Sequence, residues 1–147
     1  MNVYIVREVR SEDLFSVFKI AYETLPEPYN PGLFNIFYEE FPSGFLVAEM
    51  HGRVVGFIVG VKTDLYVAKI LMLSVSKEYR RCGIGSALIN RFIKEMRLQH
   101  IRQIDLEVRS NNYAAIDFYK KHDFDVIDFI PGFYKDGQDA YVMRKIL

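Results

Sequence analysis

Apolar residues recur at every second position in some segments of this chain and at every third or fourth position in others. The first pattern predicts strands and the second predicts helices. Asn2 to Val9 alternates and predicts a first strand, whereas the apolar positions from Leu14 to Leu25 recur every three or four residues and predict a helix. Further strands are predicted over Phe45 to Met50, Arg53 to Lys62, Ile70 to Val75, Gln103 to Arg109, Val126 to Ile130 and Ala140 to Ile146. Further helices are predicted over Leu33 to Phe41, Ser86 to Met96 and Asn112 to His122. The predicted order is β, α, α, β, β, β, α, β, α, β, β.

Local signals refine the boundaries of these elements. Ser11 and Asp13 are candidate N-caps of the first helix. Its predicted buried face consists of Leu14, Val17, Phe18, Ala21, Tyr22 and Leu25. Three prolines, Pro26, Pro28 and Pro31, predict the end of that helix and a stiff loop. The two β–α–β passages in the second half predict parallel neighbours joined by right-handed crossovers, and therefore a mixed α/β sheet.

Length and composition exclude several classes of protein. The 147 residues, half of them apolar, predict a single folded domain over residues 1–147. A formal net charge of zero argues against bulk binding of nucleic acid. One cysteine and three scattered histidines offer neither a disulfide framework nor zinc-ligand spacing, so no metal is expected. No apolar run is long enough to span a membrane and the first residues do not resemble a signal peptide, which favours a cytoplasmic protein.

The turn between the strand ending at Val75 and the helix after it is basic and rich in glycine. Its candidate ligand-binding residues are Arg80, Arg81, Cys82, Gly83, Ile84, Gly85 and Ser86. Backbone N–H groups at such a turn, beside the positive end of a helix dipole, favour a phosphate or pyrophosphate. The spacing excludes a Walker A loop, which needs Gly-Lys-Ser/Thr, and a dinucleotide fingerprint, because Leu88 stands where that motif needs a glycine. The alternative is a solvated turn whose glycines only cap the helix.

The Arg-x-x-Gly-x-Gly pattern from Arg80 to Gly85 resembles the coenzyme A pyrophosphate loop of the GNAT superfamily of N-acetyltransferases. A second stretch, Leu106-Glu107-Val108-Arg109-Ser110-Asn111-Asn112 through Tyr119, resembles the RimI-type and archaeal-eukaryotic protein N-terminal acetyltransferases of that superfamily. The resemblance implies a mixed, mostly antiparallel sheet flanked by four helices, with a parallel and splayed pair formed by strands 4 and 5. It also implies acetyl-CoA as co-substrate, bound between those two strands.

The resemblance assigns roles to individual residues. Glu107 matches the general base, and Tyr119 the tyrosine that protonates the departing thiolate and contacts the cofactor. Asn112 matches a contact of the pantetheine arm, and Leu73, Ser74 and Val75 the strand that pairs with that arm. The alternatives are a solvent-facing Glu107 paired with Arg109 or Lys120, and a Tyr119 that only fills the core.

Two loops resemble the substrate loops of N-terminal acetyltransferases. The first contains Leu25-Pro26-Glu27-x-Tyr29 and the second Tyr134-x-Asp136-Gly137, so Glu27, Tyr29 and Tyr134 are the predicted substrate contacts, whereas Phe34 is predicted to pack in the core. The chain departs from the family in having Asp123-Phe124 where Gly-Phe is common. It also has Lys69 near the position where some relatives carry a tyrosine base, so that variant is not expected.

The sequence therefore predicts transfer of acetyl from acetyl-CoA to the N-terminal α-amino group of proteins or peptides, by direct attack in a ternary complex. Lysine or small-amine acetylation on the same fold is one alternative, and a non-catalytic acyl-CoA-binding module is another. The expected partner is a protein or peptide N-terminus, with the ribosome or nascent chain as a further candidate. The sequence gives neither the oligomeric state nor the preferred N-terminal residues.

Overall fold

The computed structural model describes residues 3–27 and 29–147, so Met1, Asn2 and Pro28, which the predictions above include, lie outside the described residues. The described part forms seven strands and four helices in the predicted order. The strands are β1 (Tyr4–Glu8), β2 (Phe45–Met50), β3 (Arg53–Asp64), β4 (Val67–Val75), β5 (Gln103–Arg109), β6 (Asp125–Ile130) and β7 (Ala140–Ile146). The helices are α1 (Leu14–Thr24), α2 (Pro31–Glu40), α3 (Ile84–Leu98) and α4 (Tyr113–Lys121).

Four details at the ends and faces of α1 and α2 differ from the prediction. Tyr22 is 81% exposed, so it does not belong to the buried face of α1. Neither predicted cap operates at α1: Ser11 begins a short 3-10 turn, and the Asp13 carboxylate accepts hydrogen bonds from Arg7 and from the backbone N–H of Arg10. Helix α2 begins at Pro31, two residues earlier than predicted, because proline is well suited to the first helical position. Asn30 caps this helix by accepting from the Gly32 N–H at 2.8 Å.

One mixed sheet contains all the strands, in the order β1-β2-β3-β4-β5-β7-β6. Its neighbours are antiparallel except for β4 and β5, which are parallel and joined through α3. The fold class is as predicted. The second β–α–β passage does not create neighbours, contrary to the prediction, because β7 returns between β5 and β6 and pairs with both.

The parallel pair separates after a short stretch. Its register runs only from Val67 opposite Gln103 to Lys69 opposite Asp105. Beyond Lys69, β4 continues to Val75 and β5 to Arg109 without further pairing to each other. A bulge accompanies this separation: Val59 of β3 faces Met72, whereas the next residue, Gly60, faces Ile70, so Leu71 is an extra residue in β4. Bulges bend the strand that carries them, and this one lies where β4 leaves β5.

Two apolar cores cover the two faces of the sheet. Helix α3 packs on one face with the predicted residues Leu88, Ile89, Phe92, Ile93 and Met96, all buried. Helices α1 and α2 cover part of the other face. Gly60 permits the close contact of α3 with β3, because a Cβ there would lie 2.3 Å from Cζ of Phe92. No helix in the described ranges is both long and apolar enough to cross a membrane.

Candidate active site

A cleft opens where β4 and β5 separate, and it consists of two adjoining cavities of about 450 and 480 Å³. The first lies over Glu107, Arg109 and the two substrate-loop candidates, and the second over the glycine turn. Both are lined by Leu25, Pro26, Leu73, Asn112, Ala115 and Tyr119. These shared residues lie where the two cavities adjoin.

The glycine turn has the backbone geometry of an anion site. Arg81 and Gly83 have φ values of 65° and 81°, and Gly83 directly precedes α3. The N–H groups of the first helical residues, Ile84, Gly85 and Ser86, have no helical acceptor and carry the positive end of the helix dipole. A pyrophosphate fits this arrangement of donors.

Two residues of the turn have further contacts within it. The Arg80 Nε donates to the Val75 carbonyl at 3.1 Å, which ties this guanidinium to the end of β4. The Cys82 thiol lies 3.6 Å from the carbonyl oxygen of Arg80. Of the predicted ligand-binding residues of this turn, Arg80, Arg81, Gly83, Ile84, Gly85 and Ser86 line the second cavity, whereas Cys82 is absent from that lining.

Helix α4 and the residue that follows it contribute two side chains beside this turn that sequence reasoning did not identify. The Phe118 ring lines the second cavity and packs on His122, with 4.8 Å between ring centroids. The His122 Nε2 lies 3.1 Å from the Ser86 hydroxyl oxygen. Burial and the neighbouring charge of Lys145 lower the pKa of His122. The spacing of four residues between Phe118 and His122, typical of one helical face, is the only sequence signal for these positions, and it does not distinguish them from core residues.

The edge of β4 that faces the cleft is suited to an extended ligand. Leu73, Ser74 and Val75 pair with β3 on one side only, since β5 has already separated. Ser74 is buried and its hydroxyl lies 2.5 Å from that of Thr24, which donates to the Ile20 carbonyl. A pantetheine arm fits beside this strand because an unpaired edge presents backbone donors and acceptors.

Asn112 lines both cavities and also begins α4. Its side-chain oxygen accepts from the Ala115 N–H at 3.2 Å, so the oxygen serves as the helix cap. The amide nitrogen carries the donors that remain for a ligand. At the other end of α4, Asp123 adopts a left-handed φ of 66°, so the turn that commonly uses glycine in this family forms here with aspartate.

Glu107 lies in the first cavity, half-buried, and pairs with Lys69. The Lys69 Nζ to Glu107 Oε1 distance is 2.5 Å. The alternative partners considered from sequence, Arg109 and Lys120, are not the ones observed. The carboxylate therefore lies at the cleft rather than on a solvated face.

Tyr119 is 9% exposed and lines both cavities at their junction. Burial, and secondarily the nearby Tyr134, raise the pKa of its hydroxyl well above the ordinary value. The phenol is consequently neutral at physiological pH and can donate a hydrogen bond. Its ring packs edge-on against Phe118 and Phe124, so the core role considered from sequence holds alongside the position at the cleft.

Arg109 joins the two predicted substrate loops, and sequence reasoning did not assign it this position. Its Nε donates to Glu27 Oε1 at 3.0 Å, and a second guanidinium nitrogen binds the same oxygen. Its third nitrogen donates to Asp136 Oδ2 at 2.9 Å. The guanidinium also lies over the Tyr134 ring. One residue of β5 thus contacts both the loop after α1 and the loop between β6 and β7.

The aromatic residues predicted near the substrate have different environments. Tyr29 and Tyr134 both line the first cavity, and burial, followed by the charge of Glu27, raises the pKa of Tyr134 to about 12. Tyr29 also packs against Phe34, which is fully buried in the α1–α2 core as predicted. Phe133 is 44% exposed and packs edge-on against Tyr134.

Comparison with known proteins agrees with this geometry. Residues 14–124 match the model of the acetyltransferase (GNAT) family. The chain is 34% identical to an N-alpha-acetyltransferase of Sulfurisphaera tokodaii, over 95% of this chain and 91% of that one.

Two solved structures are similar over nearly the whole fold. One is Ard1 from Thermoplasma volcanium, with a TM-score of 0.94 and 40% identity over 98% of this chain and 97% of that one. The other is Naa20 of Chaetomium thermophilum in complex with a bisubstrate analogue, with a TM-score of 0.86 and 32% identity over 97% and 86%. The chain belongs to the GNAT family of acetyltransferases.

Proposed function

We propose that this protein transfers the acetyl group of acetyl-CoA to the N-terminal α-amino group of proteins or peptides, by direct attack in a ternary complex. The observation that carries the proposal is the cleft that passes between β4 and β5, with an anion site at one end and a carboxylate among loop aromatics at the other. The relatives named above as N-alpha-acetyltransferases support this choice of acceptor.

The second cavity accepts acetyl-CoA, which supplies the reactive thioester. The turn from Arg80 to Ser86 holds the pyrophosphate through backbone N–H groups and the positive charge of its arginines. Leu73 to Val75 and the Asn112 amide hold the pantetheine arm. This arm then points towards the junction of the two cavities, where Tyr119 lies.

The first cavity accepts the amine. An α-ammonium group has a pKa of about 8 and must lose a proton before its nitrogen can attack. Glu107 accepts that proton, directly or through one water. The nitrogen then bonds to the thioester carbonyl carbon, and collapse of the tetrahedral intermediate breaks the carbon–sulfur bond.

Tyr119 stabilises the sulfur that leaves. The raised pKa of the Tyr119 phenol lies far above the pKa of about 8.5 that is typical of a thiol. Full proton transfer to the thiolate is therefore unfavourable, and the hydroxyl acts as a hydrogen-bond donor to the developing charge. This refines the proton-donor role that the family resemblance implies.

The two substrate loops favour a chain terminus over a lysine in mid-chain. Arg109 ties the loop of Glu27 to the loop of Asp136 beside the cleft, which narrows the entrance. A free terminus can enter between the loops, with Glu27, Tyr29 and Tyr134 around its first residues. A continuous chain with an internal lysine would need an open groove there.

The source of the substrate is a separate part of the proposal. Nascent chains present free N-termini in the cytoplasm, so we place the enzyme there and regard the ribosome as a candidate partner. The single cysteine, Cys82, is in keeping with a reducing compartment.

Paired peptides test the proposal. Each peptide with a free N-terminus is matched by a copy with a blocked N-terminus and an internal lysine, and the acetylated position is mapped by mass spectrometry. We expect acetylation of the free α-amine and none of the blocked copy. Efficient modification of the internal lysine would replace the α-amine assignment by lysine acetylation. Binding of acetyl-CoA without turnover of any amine would indicate a non-catalytic module.

A further inference from the structure

Lys69 forms the closest charged contact of the Glu107 carboxylate. Its Nζ lies 2.5 Å from Oε1, and among residues 3–27 and 29–147 it is the only cationic group within 4 Å of that carboxylate. Both side chains are partly buried, at 32% and 17% exposed, so solvent screens their attraction less than it would at an open surface. Lys69 also lines the first cavity.

The backbone places Lys69 at a specific point in the fold. It is the last residue of β4 that pairs with β5, opposite Asp105. Its side chain thus starts where the two strands are still paired. It reaches Glu107, which lies two residues beyond Asp105 on β5, where the strands have separated. The pair spans the closed end of the opening through which the two substrates meet.

The other charged groups near Glu107 are already matched. Arg109, two residues further along β5, binds Glu27 of the α1–α2 loop and Asp136 of the β6–β7 loop. Asp105, two residues before Glu107, pairs with Arg144 of β7. Tyr134 from the β6–β7 loop faces Glu107 as well, and its raised pKa keeps it neutral at physiological pH. Lys69 is therefore the group that balances the charge of the proposed base.

We propose that Lys69 is a positioning residue of the reaction, which holds the Glu107 carboxylate in place and directed into the cleft until the substrate ammonium arrives. This inference rests on the proposed function. A contact between two charged groups is shorter and stronger than one between neutral groups, so it can fix the orientation of the carboxylate. The contact uses Oε1, so Oε2 is the oxygen available to accept the substrate proton. The flexible lysine stem lets Nζ move aside when the ammonium binds, which the fork of an arginine would resist.

The rival interpretation is that the pair only ties β4 to β5 where they separate. The two interpretations predict different results in a double-mutant cycle. If Lys69 acts through Glu107, Lys69→Met lowers activity in the wild-type background and has little further effect in Glu107→Gln. If the pair is only a tie, the losses from the two substitutions add, or neither substitution lowers activity.

The experiment measures kcat and KM for a free-N-terminus peptide at saturating acetyl-CoA and about pH 7, in wild type, Lys69→Met, Lys69→Arg, Glu107→Gln and the double variant. Arg144→Met is the matched control, because it removes an ion pair to the same strand outside the cleft. Thermal unfolding and calorimetry with CoA establish that each variant is folded and binds the co-substrate.

We expect Lys69→Met to lower kcat by about tenfold at pH 7 with CoA affinity unchanged, an effect in the range of a misplaced catalytic group. The loss should appear in kcat rather than in the peptide KM, because Lys69 acts on the proposed base and not on the binding of the substrate. Lys69→Arg should recover part of the rate, and Arg144→Met should retain it.

A Lys69→Met enzyme with wild-type kcat would overturn the inference while leaving the proposed function in place. Equal losses in Lys69→Met and Arg144→Met would overturn it in favour of a structural tie. If wild-type protein acetylated no free N-terminus at all, the proposed function itself would fail, which the wild-type arm shows separately.

Discussion

Arg109 lies over the ring of Tyr134, with its guanidinium carbon 4.2 Å from the ring centroid. The same guanidinium binds Glu27 and Asp136, so its planar fork is in contact with both substrate loops. An arginine can do this because its fork of N–H donors is rigid and its flat face stacks on aromatic rings, whereas the compact ammonium of lysine offers neither property.

We expect Arg109→Lys to raise the KM for a free-N-terminus peptide by about tenfold, because the two substrate loops would be held less tightly and would position the peptide less well. The affinity for acetyl-CoA should not change, because Arg109 does not line the second cavity. Steady-state kinetics and calorimetry measure the two effects. Arg144→Lys serves as control, and an Arg109→Lys enzyme with the peptide KM of wild type would show that the loops close without this residue.

The glycine turn offers a direct test of co-substrate binding. Gly83→Val is unsuitable, because a φ of 81° strains any side chain there. Gly85 has no such φ, and a Cβ would meet only the Phe118 ring, at 3.5 Å. We expect Gly85→Val to fold and to bind acetyl-CoA at least tenfold more weakly by calorimetry, because the added bulk occupies the second cavity. Wild-type affinity in a folded Gly85→Val protein would remove this turn from the site.

Glu107→Gln should lower kcat by about 10²–10⁴-fold, the usual cost of losing a general base. The deficit should shrink as pH rises above about 8, because the substrate amine then loses its proton unaided. Acetyl-CoA binding should be retained, since Glu107 lines only the first cavity. A pH–rate profile parallel to that of wild type would instead indicate that the residue orients the substrate.

Tyr119→Phe removes the hydroxyl and keeps the packing against Phe118 and Phe124. We expect the melting temperature to change little, and kcat to fall by about tenfold or more under conditions where chemistry limits the rate, as for loss of a transition-state hydrogen bond. Single-turnover measurements separate chemistry from product release. An undiminished single-turnover rate would assign Tyr119 to the core alone.

Much of the fold could be predicted because periodicity reports burial directly. The apolar positions of α3 and the alternation in β5 gave elements whose extent the structure reproduces to within two residues. Tyr22 shows the limit of this approach, since it continues the apolar pattern of α1 but lies beyond what the sheet covers. The start of β4 was predicted three residues late because Lys69 interrupts its apolar run.

The candidate site could be predicted only in part. The glycine turn is contiguous in sequence, so its residue types and spacing were enough to identify it. The pairs of Lys69 with Glu107 and of Glu27 with Arg109 join residues that are far apart in the chain. Such pairs depend on strand register and on where β4 leaves β5, neither of which can be inferred from residue types.

The extra residue in β4 has a consequence for how this strand tolerates change. Ala68 and Ile70 belong to the core under α3, whereas Met72 belongs to the core under α1 and α2, so the strand exchanges its inward and outward sides at Leu71. A deletion of Leu71 would leave Ile70 opposite Gly60 and Met72 opposite Val59 in an uninterrupted ladder, so both would keep their sides of the sheet, but the bend that accompanies the bulge where β4 leaves β5 would be lost. The chain can therefore vary the residue at position 71 far more easily than it can lose the position itself.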